Sequence, residues 1–520
     1  MTALQLVWFK RDLRVRDHWP LQQACAAGPV LALYCFEPSQ WQQADASARH
    51  LGFVQDSLRE LEHDLAKLGL RLWLYHGEVC AALQQLRTHT EIAGLWSHEE
   101  TGNLASYARD KAVAAWCRQH GVHWREIPQY GVIRRLDSRN AWAGRWEQFM
   151  AAKAAPLPRA AQAAQIALAP NRWPDARELA LPDADIAARQ RGGRRVAVGV
   201  LSDFLAERAA QYRGGISSPL KASSACSRLS PYLAWGNLSL REVVQAKRRH
   251  VLTLQQIPEA QRPRNLLPSL ASFEQRLHWH CHFIQKLESE PEIELHNMHR
   301  GYDGLREQDF RSDWFEAWAL GQTGYPLIDA CMAQLQATGW VNFRMRAMLI
   351  SFASYNLWLH WRAPAHHLAR LFTDYEPGIH YPQVQMQSGV TGINALRIYN
   401  PIKQAQEHDP HGHFVRQWLP VLRRVPDAYL FEPWQMPSAL QAHHGVRIGH
   451  DYPAPLVDFS TSLRAAKARF SAWREQPGLR ELARAVFDKH GSRRAKAERE
   501  WGRRKRPAPD QRQLGLFEEA

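Results

Sequence analysis

Apolar positions in the first 135 residues alternate between two rhythms. Short β-rich runs at 4–9 (LQLVWF), 30–36 (VLALYCF), 70–77 (LRLWLYHG) and 92–100 (IAGLWSHEE) predict buried parallel strands. Between them, residues 48–70 repeat apolar side chains at spacings of three and four, which predicts an amphipathic helix. Strand and helix in alternation predict a doubly wound parallel sheet over 1–135. From 136 to 200 the rhythm weakens into an Ala-, Arg- and Pro-rich connection ending in RQRGGRR (189–195). From 201 to 484 the strand signal fades and helical stretches recur, as in 324–340 and 340–361. The expected fold is therefore α/β plus all-α: a sheet domain, a linker and a large helical domain. In this reading 340–361 is one helix closed by Trp358 and Trp361. Residues 485–520 read as a basic tail of low hydrophobicity.

Composition narrows the classes. A chain of 520 residues is too long for one core. The net charge of +15 favours a polyanionic partner, nucleic acid before membrane. No apolar run reaches the roughly 18 residues of a spanning helix. The N-terminus meets charge at once, without a signal-peptide core, so a cytoplasmic location is expected. Seven scattered cysteines without a CxxC pair argue against structural zinc and a disulfide framework. No GxGxxG follows the first strand, so a standard dinucleotide site is not expected there.

Candidate chemistry concentrates in 340–401. Arg344 and Arg346 stand two apart on a helix and diverge by about 200°. One therefore faces a ligand and the other a carboxylate, such as Asp374 of the Asp374/Glu376 pair. Cations, carboxylates and indoles at this density suit an anionic, electron-rich ring such as a redox flavin. A structural ion pair is the plainer reading. Ser223, Ser224, Ser227 and Ser230 cluster around Arg228 before a helical run, which reads as a phosphate seat or simple capping. His278, His280 and His282 alternate, but on a helix they fan apart, so no metal site is expected. Trp279 among them reads as core or as a base-stacking platform.

These segments together resemble the photolyase/cryptochrome flavoprotein family over nearly the whole chain. The motifs are LVWFKRDLRVRDH (6–18), SRLSPYLAWGNLS (227–239), GQTGYPLIDACMAQLQATGW (321–340) and RIYNPIKQAQEHDPHGHFVRQWLP (397–420). The resemblance implies an FAD-binding helical domain and light-driven repair of pyrimidine dimers in double-stranded DNA by a monomer. A non-repairing blue-light cryptochrome is the alternative. It implies FAD contacts at Tyr212, Ser227, Arg228, Leu229, Ser230, Phe273, Arg346, Asp374, Tyr375 and Glu376. It implies catalytic roles for Trp279, Arg344 and His380, the last near flavin N5. Electron transfer falls to Trp361, with Trp340, Trp318 and Trp314 as further members. The DNA side comprises Arg276, Trp279, His280 and Gln385.

The chain also departs from the family pattern. Arg276 stands where repair enzymes usually carry an acid, with Glu274 two positions off. Phe343 and Ala347 stand where (6-4)-repair enzymes carry a histidine pair. Val384 or Met386 stands where the flavin-proximal tryptophan is usual, leaving Trp340, Trp358, Tyr381 and Tyr399 as substitutes. A second, antenna chromophore is left without an identity. SHEETGN (97–103) either lines its pocket or ends a strand and starts a helix.

Overall fold

The computed structural model describes residues 4–159 and 161–491. Five strands, β1 (Leu4–Trp8), β2 (Val30–Phe36), β3 (Leu72–His76), β4 (Ile92–His98) and β5 (His123–Ile127), form one parallel sheet in the order β3-β2-β1-β4-β5. β1 and β2 are buried along their whole length, which is why they read as mainly apolar runs, Gln5 excepted. β5 lies outside the sequence reading. It is a half-exposed edge strand, HWREI, whose charges hide the apolar rhythm. The strand order reverses between β1 and β4, which opens a crevice above their carboxyl ends.

The stretch 136–200 holds the helix Trp142–Ala151, then irregular chain along the sheet domain, and ends inside the helix Arg194–Asp203. Asn171 imitates a neighbouring strand there. Its amide accepts from Leu74 N–H and donates to the Leu72 carbonyl (both 2.9 Å).

The remaining described chain is helical. The site is built from α1 (Leu266–Ser289), α2 (Phe343–Ser351), α3 (Arg362–Leu371) and α4 (Pro377–Ser388). The single helix expected over 340–361 is not found. α2 ends in a π turn, Phe352–Asn356, and Trp358 adopts φ +53°, so the chain leaves the helix. Trp361 instead precedes the first turn of α3. The expected tail divides as well. Residues to 490 belong to the helix Leu479–His490, and 492–520 lie outside the described residues.

The two domains meet through the loop Arg11–Arg14 and the turn at Trp235–Gly236. Leu13 N–H donates to the Trp235 carbonyl (3.2 Å), and Arg14 donates to the Gly236 carbonyl (3.0 Å). Gly236 has φ +70°, and a Cβ there would lie 2.3 Å from the Arg11 carbonyl oxygen. Gly236→Ala is expected to cost about 2–4 kcal/mol through backbone strain and overlap. A urea midpoint equal to that of the unaltered protein would refute this close approach.

Candidate functional site

A cavity of about 360 Å³ opens between α1, α2, α4 and the turn around Arg228. Tyr212, Ser227, Arg228, Leu229, Ser230, Phe273, Arg276, Trp279, His280, Trp340, Arg344, Arg346, Asp374, Tyr375, Glu376 and His380 all line it. These sixteen expected site residues come from five separate stretches of sequence, and the fold gathers them around one cavity.

Arg346 donates from both terminal nitrogens to Asp374 (3.0 and 2.8 Å) and from Nε to the Val341 carbonyl (2.8 Å). Its guanidinium also lies 4.0 Å from the Phe372 ring centroid. Arg344 takes the other direction and reaches the Gln404 amide oxygen at 3.3 Å. Arg228 stacks 3.8 Å over Trp340. Burial pushes its guanidinium down to about 10, with Asp374 opposing that fall, so it stays cationic at neutral pH. Arg228 has φ +61°, a left-handed conformation that costs about 1–2 kcal/mol in a non-glycine residue. Burial raises the Glu376 carboxyl, while Arg11, 3.7 Å away, opposes the rise. Four arginines thus face two carboxylates across the cavity, a surplus that suits an anionic ligand.

Phe273 meets Tyr212 edge-on at 5.8 Å. Arg276 lies 4.3 Å over Trp279, and it hydrogen-bonds Tyr212. Phe343, 43% exposed, joins this rim.

His380 lines the cavity, but its Nε2–H donates to the Ala365 carbonyl at 2.9 Å. Burial pushes it down to about 4, so the ring is neutral at pH 7. The Nε2 proton is thereby committed to the Ala365 carbonyl of α3. Gln385 is corrected outright. It is fully buried, donates to the Ile293 and His296 carbonyls, and accepts from Met298 N–H. It cannot touch DNA. The cavity face of α4 is instead His380, Gln383, Val384 and Gln387, at spacings of three and four. That helical spacing, counted from His380, is the signal that would have found Gln383 and Gln387.

Trp361 is fully buried behind the cavity wall, and its Nε1–H donates to Asn297 (2.7 Å). Trp318 donates to the Leu349 carbonyl and packs on His367, while half-buried Trp314 lies under Arg311. None of these three lines the cavity. The three alternate histidines fan as a helix requires: His278 and His282 meet Trp142, and His280 meets Tyr130. The described residues do hold one group with ligand-like proximity, Asp12, His18 and His98. Its 2.8 and 2.9 Å separations are hydrogen bonds from the two imidazoles to Asp12 Oδ2.

In the sheet domain, β4 ends at His98 and Asn103 caps the next helix through Ser106 N–H. The strand-end and helix-start reading of 97–103 therefore holds, while Glu100, Gly102 and Asn103 line a narrow cleft over the strand ends. That cleft measures about 110 Å³, below the roughly 300 Å³ at which small-molecule sites begin. Trp8, Trp41 and Arg109 fill it, the guanidinium standing 4.8 Å from Trp8.

Whether an FAD suits the large cavity is tested by its unspent polar groups. The Gln387 amide is 2% exposed, and neither its oxygen nor its nitrogen has a hydrogen-bonding partner among the described residues. One donor and one acceptor side by side match the imide edge of an isoalloxazine. Arg228 and the serines of 227–230 suit a pyrophosphate, and Phe273 with Tyr212 offers ring faces.

Comparison with known proteins agrees. Residues 5–136 match the model for DNA photolyase, and residues 273–472 match that for the FAD binding domain of DNA photolyase. A cryptochrome DASH of Gloeobacter violaceus is 30% identical over 499 residues, covering 91% of this chain and 96% of that protein. A deoxyribodipyrimidine photo-lyase of Vibrio cholerae is 29% identical, covering 88% and 96%. Among solved structures, a bacterial class III photolyase from Agrobacterium tumefaciens superposes with a TM-score of 0.77 at 26% identity, covering 92% and 98%. A Synechocystis cryptochrome does so with 0.77 at 25%, covering 90% and 99%.

Proposed function

The chain belongs to the DNA photolyase/cryptochrome family, and from that membership we propose that this FAD-dependent photolyase repairs pyrimidine dimers in ultraviolet-damaged, double-stranded DNA. The observation that carries the reading is the cavity itself, with a cationic, amide-lined interior and an aromatic mouth. FAD, when bound, supplies a light-excitable electron for splitting the dimer. The chain's own residues do the rest. Arg228, Ser227 and Ser230 would hold the pyrophosphate, and Phe273 would pack against the adenine. Arg346, fixed by Asp374, would set a positive charge beside the ring, with Gln387 reading its edge. Trp279 would stack on the extruded lesion, which flips cheaply because a damaged pair is already weakened. The net charge of +15 would add salt-sensitive contact to the phosphate backbone.

No helix among the described residues is long and apolar enough to cross a membrane, and all seven cysteines stand free. We take the enzyme to act in the cytoplasm as a monomer.

The test is direct. Purified, chemically reduced protein is mixed with ultraviolet-damaged DNA, and dimer loss is followed with and without blue light. Light-dependent loss is expected. Flavin photochemistry without repair of any lesion would overturn the proposal and favour a sensory cryptochrome. Trp279→Ala is expected to weaken binding to damaged DNA roughly 10- to 100-fold, since a base–aromatic stack contributes about 1–3 kcal/mol. Its FAD content should stay unchanged. Unaltered affinity would move the lesion away from Trp279.

A further inference from the structure

Asp45 belongs to the sheet domain, yet its carboxylate points into the helical domain. It is 5% exposed. Its Oδ2 accepts the hydroxyl protons of two tyrosines that lie more than 300 positions away in sequence. One is a short bond from Tyr375, and the other, from Tyr381, measures 3.1 Å. Asn103 donates weakly to the same oxygen at 3.5 Å. Both tyrosines are buried, Tyr381 completely.

The placement of these rings is the second observation. Tyr375 lines the large cavity. Its ring centroid is 6.5 Å from that of Tyr381, and Tyr381 is 6.4 Å from Trp361. Trp361 in turn is 5.5 Å from His360, which is partly exposed. A contiguous file of aromatic rings therefore runs from the cavity wall towards the surface. Val384, where a tryptophan would carry an electron, contributes no redox-active ring. Burial and the neighbouring Asp45 keep both phenols above their ordinary range, so each holds its proton at neutral pH.

A phenol is a poor one-electron donor if its proton must stay, because the resulting cation is a strong acid. A carboxylate already hydrogen-bonded to the hydroxyl removes that obstacle. We propose that Tyr375 and Tyr381, with Asp45 as their shared proton acceptor, form the electron-donating relay that reduces oxidised flavin in light. This inference rests on the flavin site proposed above and adds its electron source.

Tyr375 gives one electron to the photoexcited, oxidised flavin, and its phenolic proton passes along the existing bond to Asp45. A neutral tyrosyl radical and a protonated Asp45 would remain in the chain, the electron having left for the cofactor. Tyr381 then passes its electron to Tyr375 and its proton to Asp45, while Asp45 returns the first proton to Tyr375. The radical now sits on Tyr381, and Asp45 still carries one proton. An external thiolate supplies the last electron by way of Trp361, Asp45 returns its proton to Tyr381, and two thiyl radicals join as a disulfide.

The experiment uses the full chain with oxidised FAD bound, illuminated with an excess of thiol and followed by flavin absorbance. Asp45→Asn keeps the shape but accepts a proton far more weakly. It is expected to slow photoreduction by roughly 100-fold, the lower end of a general base's contribution. Tyr375→Phe is expected to slow it comparably, with FAD content retained and the tyrosyl signal in electron paramagnetic resonance lost. Asp45→Glu should restore much of the rate. Deuterated solvent should slow the unaltered protein and leave Tyr375→Phe indifferent. Normal photoreduction in Asp45→Asn and Tyr375→Phe, with FAD bound, would overturn the relay while leaving the flavin site standing. A purified protein unable to hold FAD would overturn both.

Discussion

Acidifying this protein from about pH 7 to about pH 5 is expected to unfold it. The cause is a set of buried imidazoles. Burial pushes His50, His380 and His490 down to about 4 and His98 down to about 3. Burial holds each neutral and outweighs a hydrogen bond that would favour its charged form: His50 to the Phe372 carbonyl, His98 to Asp12, His380 to the Ala365 carbonyl, His490 to Glu290. In the unfolded chain each takes up a proton below its ordinary value near 6.5. Between about 6.5 and about 4 the unfolded state therefore binds more protons than the folded one, and stability falls as pH falls. One such group contributes about 1.4 kcal/mol per pH unit in that window. Four give an upper bound of about 5 kcal/mol per pH unit, against a total stability on the order of 5–15 kcal/mol. Asp12 acts in the same direction at lower pH. Burial would raise it, but the imidazoles of His18 and His98 hold it well below the usual carboxylate range, so its stabilisation is lost as pH falls through that depressed value. Urea midpoints across this range provide the check. A midpoint that does not move between about pH 7 and about pH 5 would show that these histidines titrate normally.

What the sequence made legible followed from local rules. Buried parallel strands show as apolar runs, so β1 to β4 could be read, whereas β5 alternates exposed and half-buried positions and could not. Arg346 and Asp374 were readable as partners because a buried guanidinium demands a carboxylate and one lies 28 residues on. The face of α4 was not readable without an anchor. Gln385 is polar and near the right place, but one turn of geometry puts Gln383 and Gln387 on the cavity and Gln385 against backbone carbonyls. The π turn after Ser351 left no mark, since FASYN is as apolar as the helix before it. Asp45 was the least legible residue of all. It lies on a short polar stretch of the sheet domain, and no period or motif links it to tyrosines across the domain interface. The local pattern supplied the elements and most of the cavity wall. Its proton chemistry arises only where two domains meet.

Asp374→Ala is expected to leave the purified protein with little or no FAD and to lower its stability by about 3 kcal/mol or more, the usual cost of stranding one member of a buried pair. Asp374 is almost wholly enclosed, its side chain 2% exposed, and it takes both terminal nitrogens of Arg346. Without it, Arg346 would face the cationic Arg228 across the same cavity with no carboxylate between them, and like charges in a poorly solvated space repel. The guanidinium would swing away from Phe372 and from the place where it sets the cofactor's electrostatics. The turn 372–376, which Arg346 ties to α2, would loosen with it. Asp374→Asn separates charge from shape: it keeps one acceptor for Arg346 and should retain part of the FAD. Arg346→Lys is expected to fall near Asp374→Ala, because a single ammonium cannot reproduce the two-pronged grip. In the double variant Arg346→Ala/Asp374→Ala no charge is stranded, so its stability loss should be smaller than the sum of the single losses by about 1–3 kcal/mol. Full FAD occupancy in Asp374→Ala, with strictly additive losses, would mean that the pair braces the fold and takes no part in holding the cofactor.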